Sequence, residues 1–382
     1  MNFDLTEEQK MIKQTVRDFA EREIKPLAKE LDEKAEFSTD LTKKMGELGL
    51  FGMYMPEKYG GQGLDTLSYI IAVEEIARVD SSQAATLAAH NSLGIGPLYY
   101  FGNEEQKLKY LPKLCTGDGL WAFGLTEPNA GSDSRGTKTF AEKKGDEWII
   151  NGSKIFITNG SSPVSLGATV QTVTKIEGQK MEFTTFIVEN NTEGYTQVPM
   201  HGKMMWRASD TSELYFDNCK VPNENMLGIK GQGSKIMLST LDNGRLSIAA
   251  MGLGLAQGAY EMALQYSKER KQFGKPISKF QTIGFYLVDM ATKIELARNL
   301  LYKACWLKDN NRPFAKEAAM SKLYCSEIAK EVADLAVQIH GGYGLMKDYD
   351  VERFYRDQRL LQIGEGTSEI QRLVISRYLL WE

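Results

Sequence analysis

The chain has 382 residues, 42% of them hydrophobic and 25% charged, with a formal net charge of −4. That length suffices for one or more cored domains, and the charge excludes a basic nucleic-acid-binding face or tail. Four dispersed cysteines (Cys115, Cys219, Cys305, Cys325) form no CxxC pair and read as reduced, buried thiols, while three scattered histidines (His90, His201, His340) argue against a metal site.

No run of about 18 apolar residues is present, so no membrane span is expected. The N-terminus is acidic and lacks targeting character, which points to a cytoplasmic protein, or a mitochondrial-matrix one without its presequence. Thr6, with Gln9 three residues on, forms a capping-box pattern. Met11, Ile12, Val16, Phe19 and Ile24 then recur at helical spacing. Further helices are predicted over 38–48, 66–79, 82–95 and 104–114, interrupted by Pro56 and the glycine-rich loop Tyr59–Gly63.

The pattern changes near Leu120. Trp148–Ile150, Lys154–Thr158, Ala168–Thr174, Phe183–Val188 and Glu213–Phe216 read as strands, and Asn151-Gly152 between the first two predicts a hairpin turn. A compact, mostly antiparallel β-domain is expected there. From Gly231 the helical pattern returns, over 233–269, 278–309, 314–339, 350–358 and 367–380, long enough to need a bundle. The expected fold class is α+β, divided as residues 1–120, 121–228 and 229–382.

Several segments offer chemistry. Phe123–Asp133 leaves a strand into a loop rich in amides and hydroxyls, suited to an extended polar ligand or to a plain turn. Phe156 and Thr158 share a strand face, where an aromatic and a hydroxyl either meet a ring system or fill a sheet core. Arg270–Pro276 ends a long helix with positive charge, which suits the helix dipole or a pyrophosphate. Gln338–Gly344 closes another helix with adjacent glycines, either a C-cap or a close approach to a ligand; His340 there is assigned no role. Glu365 stands between Gly364 and Gly366, with Thr367 or Ser368 placed to cap the next helix. It suits a base that must touch a weakly acidic C–H, and equally a capped turn with a solvated acid. A GxGxxG loop after a strand, a Walker loop and a Ser-His-Asp arrangement are all missing, which argues against those chemistries.

Taken in order, Leu125–Asp133, Lys154–Gly160, Arg270–Pro276 with Gln338–Gly344, and Glu365–Arg372 resemble the acyl-CoA dehydrogenase family, most of all its short-chain, butyryl-CoA-dehydrogenase-like members. The resemblance spans essentially the whole chain. It implies an N-terminal α-helical domain, a middle β-barrel-like domain and a C-terminal four-helix bundle. It also implies a homotetramer with FAD, acting on an acyl-CoA to give the trans-2-enoyl-CoA and passing electrons to an electron-transferring flavoprotein. By the same resemblance Glu365 is the base that takes the pro-R α-proton. Phe123, Leu125, Thr126, Phe156 and Thr158 match positions around the flavin ring. Arg270, Gln272, Phe273, Gln281, Gln338, Ile339, Gly341 and Gly342 match contacts to FAD of a neighbouring subunit, and Thr367 and Glu369 contacts to its adenosine side. Ser132 matches a position shared by cofactor and CoA, and Asp242, Arg245, Gly366 and Arg377 match contacts to the CoA substrate. Some members carry the base at the position of Gly244, and many straight-chain members have tyrosine at that of Gly364. The implied substrate is therefore a short-chain, branched or cyclic acyl-CoA. An enoyl-CoA reductase working with a bifurcating flavoprotein, an acyl-CoA oxidase and a non-catalytic CoA-binding relative are the rival readings.

Overall fold

The structure, a computed structural model, describes residues 4–177 and 180–380. Seven helices come first: α1 (Glu7–Phe19), α2 (Lys25–Lys34), α3 (Thr39–Glu47), α4 (Thr66–Ala77), α5 (Ser81–Ala88), α6 (Ile95–Phe101) and α7 (Glu104–Leu114). The capping box of α1 forms as expected: the Gln9 N–H donates to Thr6 Oγ1 at 3.2 Å, and the Thr6 N–H to Gln9 Oε1 at 3.0 Å. One π-turn, Ala20–Ile24, joins α1 to α2 just ahead of Pro26, whose missing N–H is tolerated at a helix start. A second, Ala89–Gly94, joins α5 to α6.

The strands follow: β1 (Leu120–Gly124), β2 (Phe140–Lys144), β3 (Glu147–Thr158), β4 (Ser165–Glu177), β5 (Lys180–Glu189), β6 (Tyr195–Pro199), β7 (Thr211–Pro222) and β8 (Met226–Leu227). They form one sheet in the order β6-β7-β3-β2-β4-β5-β8, with β1 added parallel to β4. The other ladders are antiparallel except for a single parallel pairing of β2 with β4. The sheet is barrel-like but not closed.

The expected hairpin at Asn151-Gly152 is not there. β3 runs straight through it, and the turn lies at Gly145, with Lys144 paired to Glu147. Gly152 instead marks a bulge, where the register to β7 shifts and φ is 141°. A Cβ there would lie 2.7 Å from the Thr139 Cα, so a close backbone approach, not a turn, demands the glycine.

The helical part resumes with α8 (Gly233–Glu269), a short ribbon of β9 (Lys271–Gln272) and β10 (Lys275–Pro276), then α9 (Gln281–Asp309), α10 (Ala315–His340), α11 (Val351–Leu361) and α12 (Ser368–Leu380). The 37 residues of α8 make it roughly 55 Å long. It is buried on several sides, because α4, α9, α10 and α11 all pack on it. One core therefore joins helices from both ends of the chain: Ile70, Val73 and Ile76 of α4 lie in the same cluster as Leu253 of α8, Ile294 of α9 and Ile328 of α10. The sheet has its own core around Trp148, Ile150, Phe186 and Val188. A third cluster, with Trp121, Ile187, Ile236 and Leu111, joins the two. All four cysteines are free and buried. No helix among the described residues is long and apolar enough to cross a membrane.

The Met204-Met205-Trp206 segment, whose role the sequence does not indicate, clasps the sheet to α11. Trp206 adopts φ 47°, its N–H donates to Asp357 Oδ1 at 2.8 Å, and Arg356 donates to the Met204 carbonyl. Burial pushes the Asp357 carboxyl up to about 7.

Candidate active site

α11 ends at Leu361, and the N–H groups of Ile363 and Gly364 both fold back onto the Leu360 carbonyl at 2.8 Å. Thr367 caps α12 by accepting from the Ile370 N–H at 3.2 Å. Between these anchors Glu365 has φ 53° and Gly366 φ 94°. A left-handed non-glycine residue costs of order 1 kcal/mol or more and is held only where its surroundings dictate it. The result is a carboxylate aimed into the protein. The residue as a whole is partly exposed, but its Oε2 is fully buried and accepts no hydrogen bond among the described residues.

That oxygen faces Gly244 in mid-α8. A Cβ on Gly244 would lie 2.0 Å from Glu365 Oε2 and 2.9 Å from Leu93 Cδ2. Glycine inside a helix costs about 1 kcal/mol, which the chain accepts here to let the carboxylate in. Burial pushes the Glu365 carboxyl up to about 7, while Lys322 and Arg245 pull it the other way. Arg245 is buried and ion-paired with Asp242 one turn earlier. Burial raises the Asp242 carboxyl, and Arg245 opposes that. Glu365, Gly366, Asp242, Gly244 and Arg245 thus belong to one site.

A second group forms where β1 meets β3. The Ile155 N–H donates to the Thr126 carbonyl at 2.9 Å, and Lys154 Nζ to the Leu125 carbonyl at 3.2 Å. Behind them Lys154 (0% exposed) pairs with Glu127 (6%) at 2.8 Å, and Glu127 also accepts the N–H groups of Lys138 and Thr139. Burial pushes the Lys154 ammonium down to about 8 against the pull of Glu127. Burial alone would raise Glu127, but Lys154 and the hydrogen bonds hold it below its ordinary value, so the pair is ionised at neutral pH. This buried brace fixes the end of β1, which carries Phe123, and the loop after it, which carries Leu125 and Thr126. Phe156 has φ 60° at a register shift in β3 and is 63% exposed, a strained, outward aromatic with Thr158 two residues on. Ser132 is exposed on the same loop.

A third group lies at the far ends of α8 and α10. Arg270, Gln272, Ile339, Gly341 and Gly342 line a cleft of about 430 Å³ with Tyr343 and Met346. Nothing lies within 4 Å of a Cβ added to Gly341 or Gly342, so their backbone is open to a ligand. His340 stacks on Tyr266, ring centroids 4.2 Å apart. Phe273 is 91% exposed at the tip, and Gln281 and Gln338 are exposed nearby in sequence without lining the cleft. Thr367 serves as a cap, whereas Glu369 and Arg377 are exposed on α12. No hydrogen bond, ion pair or ring contact among the described residues joins the third group to the other two.

These residues fit FAD chemically: an outward aromatic beside a hydroxyl for a planar heterocycle, and an arginine facing bare glycine backbone for a pyrophosphate. Sequence reasoning missed Lys322 and Lys154. Each is a lone lysine amid residues that the helix or strand period sends inward, and that mismatch was the available signal.

Residues 6–118, 122–219 and 231–380 match the N-terminal, middle and C-terminal domains of acyl-CoA dehydrogenase. The chain is 47% identical over 376 residues to a short-chain specific acyl-CoA dehydrogenase of Clostridium acetobutylicum, covering 98% of this chain and 99% of that one. It is 45% identical over 376 residues to a caffeyl-CoA reductase-Etf complex subunit of Acetobacterium woodii, with the same coverage. The solved structure of butyryl-CoA dehydrogenase from Megasphaera elsdenii superposes with a TM-score of 0.97 at 46% identity, covering 100% of both chains. With each third of the chain matched in order and the whole fold superposed, the chain belongs to the acyl-CoA dehydrogenase family, whose members are FAD-dependent oxidoreductases acting on a CH–CH bond.

Proposed function

We propose that Glu365 is the general base of an α,β-dehydrogenation that converts a short-chain, branched or cyclic acyl-CoA to the trans-2-enoyl-CoA. One observation carries this: a buried carboxylate with an unpartnered oxygen, held on a strained turn against a glycine that makes room for it. The α-C–H of a thioester is a very weak acid. Burial makes Glu365 a stronger base than a solvated carboxylate, and Arg245 and Lys322 keep it charged until it takes the pro-R α-proton. The Glu365 N–H has no acceptor among the described residues and is free to donate to the thioester carbonyl, where negative charge develops. Bound FAD would supply the hydride-accepting chemistry for the β-carbon, while the α-proton goes to Glu365. Phe123, Leu125, Thr126, Phe156 and Thr158 would hold the flavin ring. Arg270, Gln272 and the Ile339–Gly342 backbone would hold the FAD of a neighbouring subunit in a homotetramer, supported by the place of their cleft at the C-terminal ends of α8 and α10, about 25 residues along α8 from Gly244, and by the apolar residues exposed on α9 and α12, among them Phe285, Val288 and Leu373. Asp242, Arg245, Gly366, Ser132 and Arg377 meet the CoA moiety.

An electron-transferring flavoprotein is the redox partner, as the relative named for its Etf complex supports. The same relative, named a reductase, favours a second reading in which this site saturates an enoyl-CoA. Turnover of enoyl-CoA with reduced partner against acyl-CoA with oxidised partner separates the two directions.

A branched or cyclic acyl group is supported by Gly364. The atoms nearest to a Cβ there belong to Leu360, no closer than 3.5 Å, and its φ does not require glycine. The missing side chain is therefore unforced and leaves space beside the base. Anaerobic bleaching of the bound flavin by a panel of acyl-CoAs tests both points. Glu365→Gln abolishes bleaching while FAD stays bound; bleaching at the wild-type rate overturns the base assignment. A clear kcat/KM preference for straight butyryl-CoA overturns the branched or cyclic reading alone.

A further inference from the structure

The inward face of α10 carries Ala319, Lys322, Ser326, Ala329 and Ala333, all buried. Among these small groups Lys322 is 0% exposed, and its Nζ donates to the carbonyl of Gly366 at 2.7 Å. A neutral amide side chain would serve that carbonyl at much lower desolvation cost. An ammonium there needs a further reason, and the charges it faces provide one. Glu365 acts on it through space, Arg245 of α8 opposes, and Glu327 of α10 and Glu369 of α12 add to the attraction. From the side of Glu365, the ionisable groups in view are Lys322, Arg245 and the Tyr69 phenol of α4.

The same helix grips the turn at neighbouring points. Ser326 Oγ donates to the Leu361 carbonyl at 2.8 Å, and Glu327 accepts from Gln362 Nε2 at 2.9 Å and from Ser368 Oγ at 2.8 Å. Gln371, itself buried, shares the Gly366 carbonyl at 2.9 Å. The peptide between Gly366 and Thr367 is thus clamped at its oxygen, directly after two residues in the left-handed region.

We propose that Lys322 is a positioning residue for the base: its ammonium fixes the Gly366–Thr367 peptide, and with it the turn that sets the direction of the Glu365 side chain, and holds that carboxylate in its proton-accepting, charged form. This rests on the reading of Glu365 as the base. The Lys322 side chain is directed at the Gly366 carbonyl and acts through Glu365. Burial lowers the ammonium to about 8, which leaves it charged over the neutral range.

The test compares Lys322→Arg, Lys322→Gln and Lys322→Met in the FAD-loaded, full-length enzyme, measuring FAD content, thermal unfolding, KM, kcat and the pH at which kcat is half-maximal. Lys322→Gln keeps a donor and loses the charge. Its acid limb moves to higher pH by about half a unit or more, with KM changed less than about twofold. Lys322→Met loses the clamp as well, and its plateau kcat falls about tenfold or more besides the same shift. Lys322→Arg leaves the limb in place. A lysine that only holds the fold would lower stability and FAD content in the Gln and Met variants but leave the pH limb of the folded enzyme unmoved; that result overturns the proposal. If Lys322→Met does not fold, the Gln and Arg limbs decide. Bleaching by Glu365→Gln at the wild-type rate overturns the underlying base reading. A dead Glu365→Gln with an unmoved Lys322→Gln limb overturns the role of Lys322 alone.

Discussion

Replacing Glu365 by glutamine tests the two quantities its buried carboxylate links, catalysis and stability. Burial moves the carboxyl from an ordinary 4.5 to about 7. That displacement is worth about 3 kcal/mol. The folded-state pKa lies above the unfolded one, so as pH rises the unfolded chain releases its proton first. Stability is therefore lost between pH 4.5 and about 7, and the full penalty stands above 7. Glutamine is neutral throughout. It is expected to stabilise the protein by up to about 3 kcal/mol at pH 8 and by almost nothing near pH 4.5. For a chain of 382 residues the unfolding entropy is of order 0.8 kcal/mol per kelvin, so the gain is about 4 °C in Tm. Thermal scans of FAD-loaded wild type and Glu365→Gln at pH 8 and pH 5, at one scan rate, measure it, alongside anaerobic bleaching. A variant equally inactive but no more stable at pH 8 than at pH 5, relative to wild type, would refute the claim that the carboxylate is held against a desolvation penalty.

Other consequences are open to measurement. Gly244→Ala places a methyl where Glu365 Oε2 now sits, but the atoms it meets end flexible side chains. Tm should hold or rise by a degree or two, FAD should stay, and kcat should fall about tenfold or more; unchanged kcat would show that the base works from elsewhere. Lys154→Met strands the Glu127 charge and is expected to cost about 3–5 kcal/mol and release FAD, with partial recovery in the double variant with Glu127→Gln; calorimetry and the flavin-to-protein absorbance ratio report it. His90 accepts the Trp121 N–H at Nδ1 and donates to the Leu114 carbonyl from Nε2, so it is neutral, and burial pushes it down to about 4. Its depressed pKa contributes stability that is present above about pH 6.5 and lost on descent to 4, about 3 kcal/mol in all. Urea midpoints between pH 7 and 4.5 should fall more steeply for wild type than for His90→Gln.

What the sequence made legible was whatever is local. The Thr6–Gln9 cap, the switch from helical to strand period at Leu120, and the proline-free run of α8 all follow from neighbours along the chain. Glu365 stood out because glycines flank it, yet its meaning came from Gly244, more than a hundred residues away. The Asn151-Gly152 turn was misread because a glycine required by a cross-strand approach has the same local signature as one required by a turn. Lys322 was missed because its value lies in what the turn between α11 and α12 presents to it; the period of α10 marks it only as a charge sent inward. The Trp206 clasp depends on Asp357 in the same way.

The shared core of the helical segments bears on how the chain is made. α4 cannot cover Ile70, Val73 and Ile76 until α8 exists to pack on it. At about 5–20 residues per second, that partner leaves the ribosome on the order of ten to thirty seconds later. Meanwhile the β-domain, with its own core, is free to condense. During that interval the nascent chain carries an uncovered apolar helix beside a finished sheet, and its yield in the cell should depend on chaperones that bind early.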